Sequence, residues 1–273
     1  MALKVLFLGR LQDVAGVAER TVAYREDVAA LIDSFEAELA AALRSEKVRV
    51  AVNGALGETV LREGDEVAFL PPGQRRVTGT MCPTSAHPEL VEGRARGQPG
   101  ARASTGSARA GCGERKRLAG KVRLLDTPLD LAGELARFAQ GHPQAGGIAS
   151  FIGQVRTEAG ASAVLELELS LYPPLTLPGM QALADEACRR WPLDGLLLLH
   201  RIGSLLPVEP IVLVVAAARH RRDALLAVDF AMDHLKSEAW FWKRERTAAG
   251  WCWVEPRAAD YADQARWEKP SAI

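Results

Sequence analysis

The stretch Leu165-Glu-Leu-Glu-Leu-Ser-Leu171 alternates apolar and polar residues without a break. Successive side chains of a strand point to opposite faces, so this period of two predicts a half-buried β-strand. The apolar residues that come next follow the helical period instead: Met180, Leu183, Ala184, Ala187, Cys188 and Trp191. We expect Pro178 at the first position of that helix and Pro192 beyond its end. A strand beside a long amphipathic helix predicts an α+β fold.

Further elements flank this pair on both sides. Apolar runs predict strands over Gly147–Phe151, Leu196–His200, Ile211–Val215 and Trp251–Trp253. Helical spacing predicts helices over Pro128–Phe138 and Arg222–Leu235. Together these elements make a domain of about 150 residues, which is large enough to bury its own core.

The first 72 residues predict a second, smaller α+β unit. Strands are expected at Leu3–Leu8, Arg20–Tyr24 and Glu66–Leu70, and an amphipathic helix over Asp27–Leu43. Val48, Val50 and Val52 alternate in a further strand, and Asn53-Gly54 follows it as a turn that tolerates positive φ. The order of elements indicates a helix packed on one face of a mixed sheet.

A change of composition separates the two units. Residues 74–120 are rich in Gly, Ala, Arg, Ser and Pro and have no apolar period, which predicts a disordered linker between a first domain over 1–73 and a second over 121–273. The linker has nine basic and three acidic residues. A nucleic-acid tether is one interpretation of that excess, and a solvated spacer is the favoured one.

Composition excludes several classes of protein. The 273 residues include 34 Lys and Arg against 34 Asp and Glu, so the formal net charge is zero and nothing favours nucleic-acid binding. No apolar run approaches the ~20 residues of a membrane span, and we expect no signal peptide. The four cysteines lie far apart without a CxxC motif, which argues against a metal site or a disulfide framework and favours the cytoplasm.

Candidate chemistry is confined to cations at the ends of predicted elements. Gln154-Val155-Arg156 follows a strand, His220-Arg221 joins a strand to a helix, and Lys236 ends that helix. Lys243-Arg244-Glu245 follows three aromatic residues. A pocket that gathered these cations would suit a phosphate-bearing anion, because arginine is a bidentate donor and lysine a point charge. Taken singly, each cation also has an ordinary structural role, such as Lys236 at a helix C-terminus.

Four of these segments resemble one known family. His200-Arg-Ile-Gly203, His220-Arg221, Met232-Asp-His-Leu-Lys236 and Phe241-Trp-Lys-Arg-Glu245 are similar to the catalytic subunit of molybdopterin synthase, in a match that extends over about residues 122–267. Gly64-Asp-Glu-Val-Ala-Phe-Leu-Pro-Pro72 resembles the ubiquitin-like sulfur-carrier subunit of the same enzyme. The resemblance implies a β-grasp domain and an α/β-hammerhead catalytic domain fused in one chain.

The resemblance also implies an activity, which is the conversion of cyclic pyranopterin monophosphate to molybdopterin with sulfur from a carrier thiocarboxylate. Lys236 and Lys243 would be catalytic. The residues that would bind the substrate are Gln154, Val155, Arg156, His220, Arg221, Arg244 and Glu245. Neither a metal nor another cofactor is implied, and the family's assembly implies a homodimer of catalytic domains.

Two features depart from the family's pattern. The family's carrier ends in Gly-Gly with a free carboxylate, whereas Pro71-Pro72-Gly73-Gln74 continues into the linker. A carboxyl group inside a peptide bond cannot be thiolated, so we expect sulfur to come from a separate carrier. The loop Ser170–Leu175 has Pro-Pro where the family commonly has Pro-Gly-Met. Two alternatives stay open: a degenerate fusion whose first domain only docks, and a phosphate-ligand-binding protein without catalysis.

Overall fold

The structure is a computed structural model. It describes residues 2–71, 120–160, 162–237, 240–254 and 257–268. The predicted linker lies outside these ranges except for its last residue, Gly120, which is buried and whose carbonyl accepts a 3.0 Å hydrogen bond from the side chain of Gln181.

The first domain is a five-stranded sheet covered by three helices. In chain order its elements are β1 (Ala2–Phe7), α1 (Leu11–Ala15), β2 (Glu19–Ala23), α2 (Val28–Asp33), α3 (Ala37–Leu43), β3 (Arg49–Val52), β4 (Ala55–Leu56) and β5 (Glu66–Leu70). The strand order is β2-β1-β5-β3-β4, with β1 and β5 parallel and the other pairs antiparallel. This arrangement is the expected β-grasp fold.

The predicted helix over Asp27–Leu43 was wrong in one respect, because the structure divides it into α2 and α3. The hydroxyl of Ser34 donates to the carbonyl of Leu31 over 2.7 Å, and Glu36 has the extended ψ of 146°. Serine competes with the helix in this way for backbone partners. The break brings the ring of Phe35 edge-on to Phe7, with 5.7 Å between centroids, so the apolar period continues although the helix does not.

Within its described residues, the second domain contains two four-stranded sheets, a separate two-stranded pair and four helices. In chain order its elements are β6 (Lys121–Leu125), α4 (Leu131–Gly141), β7 (Gly147–Gln154), β8 (Glu158–Ala159), β9 (Ser162–Ala163), β10 (Glu166–Leu171), α5 (Pro173–Arg190), β11 (Leu193–Arg201), β12 (Gly203–Leu205), β13 (Pro210–Ala218), α6 (Arg221–Ser237), β14 (Phe241–Thr247), β15 (Gly250–Val254) and α7 (Ala258–Ala265). The sheet orders are β6-β11-β13-β7 and β12-β10-β14-β15, with β8 and β9 paired separately.

Helix α5 begins five residues before the predicted start at Pro178. Pro173 and Pro174 occupy its first two positions, where a missing N–H costs nothing, and Pro178 lies inside the helix. The predicted apolar stripe is nevertheless correct. Met180, Leu183, Ala184 and Ala187 are all buried in the core that α5 shares with α6 and the first sheet.

Strand β14 was not predicted, because its residues are mostly charged. It pairs with β10 and β15, and its register places Arg246 opposite Glu166 and Arg244 opposite Glu168. The side chains of these pairs form ion pairs of 2.9 and 2.8 Å. Cross-strand charge pairs of this kind support a strand without an apolar alternation. No helix in the described ranges is long and apolar enough to cross a membrane.

Candidate active site

Strand β14 carries the second candidate lysine, and its two faces have different surroundings. Side chains of a strand alternate between faces, so Lys243 and Glu245 lie on one face and Trp242 and Arg244 on the other. The ammonium of Lys243 lies 3.0 Å from Oε1 of Glu245, a carboxylate whose side chain is only 6% exposed. The structure therefore joins two of the predicted site residues directly.

Arg244 does not belong to that pair. Its guanidinium contacts the carboxylate of Glu168 at 2.8 Å and lies 4.6 Å from the ring centroid of Trp251 and 5.6 Å from that of Trp253. Arg244 is thus held by a carboxylate and two indoles on the face opposite Lys243. The predicted role in substrate binding has no support from this placement.

Lys236 lies in the last turn of α6 at one side of an open groove. The groove has a volume of about 410 Å³ and is mostly apolar, with walls from Ser150, Phe151, Leu225, Leu226, Val228, Asp229, Met232 and Asp233. Lys236 is exposed and forms no salt bridge within the described residues. Burial would raise the pKa of Asp260, but the hydrogen bonds from Arg257 and the charges of Arg257 and Lys236 outweigh it and hold that pKa below its usual range.

The predicted anion-binding residues fall into two groups at opposite ends of β7. His220 and Arg221 are exposed at the start of α6, where Arg221 lies beside Gly147 at the beginning of β7. Gln154 and Arg156 are exposed at and just beyond the far end of the strand, which is roughly 23 Å away at 3.3 Å per residue. Val155, between them, is 2% exposed and packs in the core instead.

Lys236 is also distant from the first of these groups. Fifteen residues separate it from Arg221 in the same helix, which corresponds to about 22 Å along the axis. One small substrate cannot touch both residues in one chain. The structure therefore does not assemble the predicted set of cations within a single copy.

His200 is a buried residue that no site prediction included. Its ring stacks on Phe241 with 3.9 Å between centroids, and Nδ1 lies 2.8 Å from the carbonyl oxygen of Arg201. Burial lowers the pKa of His200 to about 4, against a weaker opposing effect of that hydrogen bond. His200 is therefore neutral near pH 7, and it supports the residue at which β14 begins.

The two domains share a contact that sequence patterns did not locate. An apolar cluster joins Leu8, Ala51, Ala68 and Leu70 of the first domain to Tyr172 and Trp242 of the second. We call the surface of the second domain in this contact, formed by Tyr172, Pro174, Trp242 and Trp253, the docking face. Tyr172 and Trp242 are 1% and 2% exposed, so the contact is closed to solvent at its centre.

Among the described residues, the docking face donates three hydrogen bonds across the contact and accepts one, from the backbone N–H of Gly54 to the Tyr172 hydroxyl. The Tyr172 hydroxyl donates to Oε1 of Glu66 over 2.9 Å, and Nε1 of Trp253 donates to Oδ2 of Asp13 over 2.6 Å. Nε1 of Trp242 donates to the carbonyl oxygen of Pro71 over 3.2 Å. The last described residue of the first domain is thereby fixed beside β14.

Comparisons with known proteins agree with this division into a β-grasp domain and a second α+β domain. The ThiS family model matches residues 5–74, and the model of the MoaE protein matches residues 124–238. The molybdopterin synthase catalytic subunit of Ralstonia nicotianae is 45% identical over 146 residues, which cover 54% of this chain and 83% of that protein. The corresponding subunit of Cereibacter sphaeroides is 45% identical, over 54% of this chain and 99% of its own length.

A solved structure is also similar to part of this chain. The molybdopterin biosynthesis MoaE protein from Burkholderia ambifaria is 40% identical, covers 55% of this chain and 99% of its own, and superposes with a TM-score of 0.48. The chain thus combines two classes of domain. The first is a ubiquitin-like domain of the sulfur-carrier type, and the second is a biosynthetic enzyme. The chain belongs to the family of molybdopterin synthase catalytic subunits, with a ThiS-family domain in front.

Proposed function

We propose that the second domain transfers sulfur from a carrier thiocarboxylate to cyclic pyranopterin monophosphate and so forms the dithiolene of molybdopterin. One observation carries this proposal: Trp242 holds Pro71 of a ubiquitin-like domain directly before Lys243 in β14. In a carrier docked in the same way, the tail after the position of Pro71 would begin beside Lys243. The anionic substrate would meet lysine and arginine side chains, which suit a phosphate.

Lys236 is the residue we propose for the chemical step, and Lys243 has a supporting role. Lys236 is exposed at an open groove and forms no salt bridge with a described residue, although its charge acts on nearby Asp260, so its ammonium is available to the substrate. Lys243 is paired with Glu245, which fixes its position. The lysine ammonium can donate a proton to the group that departs when the thiocarboxylate sulfur attacks the substrate, and water then cleaves the acyl–sulfur bond and releases the carrier as its carboxylate.

The sulfur would come from a separate carrier. Gly73 is followed by Gln74 in the same chain, so the first domain offers no free carboxylate after a Gly-Gly pair. The docked first domain also covers the docking face that a carrier would use. The incoming carrier must therefore displace a tethered competitor whose local concentration is roughly millimolar.

We also propose that the active unit is a homodimer with a composite site. Strand β7 is an edge of its sheet, and Ile148, Phe151, Ile152 and Leu225 around it are 38–58% exposed. A two-fold axis beside β7 would bring the beginning of one copy's strand near the end of the other's. Arg221 of the second copy would then join Lys236 and Arg156 of the first. Light scattering that gives a monomer at micromolar concentration would rule out this arrangement.

The proposed activity is tested with the full-length protein, the cyclic precursor and an excess of a separately thiocarboxylated carrier. We expect molybdopterin to form, and its absence would favour the docking-only alternative. A binding protein without catalysis would hold the precursor but leave it unchanged. The protein can also be expressed in the cytoplasm of a host that lacks the catalytic subunit. Restoration of molybdopterin synthesis in that host would exclude both alternatives.

A further inference from the structure

The hydroxyl of Tyr172 is hydrogen-bonded to two groups of the other domain. It donates to Glu66, and the backbone N–H of Gly54 donates to it. Burial, followed by the hydrogen bond to the Glu66 carboxylate and its charge, raises the pKa of Tyr172 to about 12 against a weaker lowering by the Gly54 hydrogen bond. The phenol is therefore a neutral donor across the physiological range, and in the closed contact its acceptor is the carboxylate of Glu66.

This placement makes the contact selective. A β-grasp partner without an acceptor at the place of Glu66 would leave a buried hydroxyl unpaired. An unpaired buried donor costs more than an ordinary hydrogen bond contributes, so a site built around such a donor rejects partners that lack the acceptor. The Asn53-Gly54 turn fixes the geometry, because Asn53 Oδ1 accepts from the Glu66 backbone N–H over 2.9 Å.

A steric requirement accompanies the polar one. A Cβ added to Gly54 would lie 2.7 Å from Cβ of Pro174, and one added to Gly9 would lie 2.5 Å from Cδ1 of Trp242. Both separations are well below carbon–carbon contact distance, and neither Pro174 nor the buried Trp242 can rotate away. The docking face therefore excludes side chains at these two places.

The other cross-domain hydrogen bonds discriminate less. Trp242 donates to the backbone carbonyl of Pro71, which any residue can supply. Trp253 and Asp13 pair at the exposed rim of the contact, where a charged hydrogen bond contributes less than one in the closed centre. The choice of partner therefore depends on the Tyr172–Glu66 hydrogen bond and on the close packing at Gly9 and Gly54.

We infer that the docking face selects one kind of partner: a β-grasp protein with a carboxylate at the place of Glu66 and no Cβ at the places of Gly9 and Gly54. The first domain of this chain meets these requirements and occupies the face. A carrier that delivers sulfur must meet them as well. That last statement rests on the proposed function, whereas the selectivity of the face is measured without any sulfur transfer.

The test uses hydrogen exchange at the indole N–H of Trp242 in the full-length protein. Its acceptor belongs to the first domain, so its exchange rate follows the fraction of undocked molecules. The resonance is identified by its loss in Trp242→Phe. Glu66→Ala should accelerate this exchange about tenfold. Glu19→Ala is the matched control, because Glu19 and Glu66 both pair with Lys4, at 3.3 and 3.2 Å, and only Glu66 meets Tyr172.

A second pair of variants tests the steric requirement. Gly54 and Gly57 have φ of 83° and 84°, but a Cβ on Gly57 would meet nothing within 4 Å. Gly54→Ala should accelerate exchange at least about tenfold, and Gly57→Ala should not. Tyr172→Phe combined with Glu66→Ala should show less than additive effects. Equal effects of Glu66→Ala and Glu19→Ala, or of the two glycine variants, would overturn the inference.

Discussion

The indole N–H of Trp242 donates to the carbonyl of Pro71, and this 3.2 Å hydrogen bond joins residues 171 positions apart. It fixes the end of the first domain against the strand that continues into Lys243. In a carrier with a free tail, this geometry would direct a thiocarboxylate towards the catalytic domain. In this chain Pro72, Gly73 and Gln74 follow instead, and the carboxyl carbon remains in a peptide bond.

The protein should therefore be unable to charge itself with sulfur. Incubation of the full-length chain with a carrier-activating enzyme, ATP and a sulfur donor should leave its intact mass unchanged. A separate Gly-Gly-ended carrier in the same mixture is the positive control. A sulfur-for-oxygen mass gain on the chain or any fragment, or product formation without a second carrier, would contradict this prediction.

Lys236→Ala should lower product formation by about 10²–10⁴-fold, the range for the loss of a general acid or base. Lys236 is exposed and forms no salt bridge with a described residue, so the substitution should change the unfolding temperature little. Lys243→Ala should reduce activity less, because Lys243 is paired with Glu245. Lys121→Ala, at an exposed position in β6, is the control. Turnover at the wild-type rate by the Lys236 variant would exclude its proposed role.

Mixed dimers distinguish a composite site from one within a single chain. Lys236→Ala and Arg221→Ala homodimers should each be impaired, because each lacks one group at both sites. Random co-assembly of the two variants should restore about a quarter of wild-type activity, since half of the dimers contain one intact site. No recovery above the separate homodimers would place both residues in the same chain's site.

Stability of the second domain should depend on the neutrality of His200. Its folded pKa of about 4 lies below the unfolded value of 6.5, so its contribution is complete above pH 6.5 and decreases as the pH falls towards 4. The loss over this window is on the order of 3 kcal/mol. Urea unfolding at pH 7 and 4.5 should show a smaller decrease for His200→Phe than for the wild type. Parallel decreases would contradict the assignment.

Local patterns predicted most elements of the fold, and the exceptions have physical causes. The alternation at 165–171 and the stripe from Met180 to Ala187 appear as β10 and the buried side of α5. Strand β14 has charged cross-strand pairs and therefore no apolar period. The break after α2 coincides with a side-chain hydrogen bond of Ser34 and with the extended ψ of Glu36, neither of which the spacing of apolar residues encodes.

The candidate site was less accessible to sequence reasoning than the fold. The family resemblance supplied the roles of Lys236 and Lys243, and the separation of Arg221 from Lys236 already follows from the predicted helix, at whose opposite ends they lie. Tyr172 and Glu66 are 106 positions apart on different domains, and no periodicity connects them. Contacts between domains depend on how two finished surfaces fit, so they emerge only from the assembled structure.

The contact between Asp13 and Trp253 spans 240 positions, and it orders events during synthesis of the chain. The sheet of the first domain is complete once Leu70 has been added. The docking face that covers it requires Tyr172, Trp242 and finally Trp253. At 5–20 residues per second, translation from one point to the other takes roughly 10–40 s. During that interval the β-grasp domain is attached to the ribosome without the docking face, and Leu8 and Leu70 are exposed to other molecules in the cell.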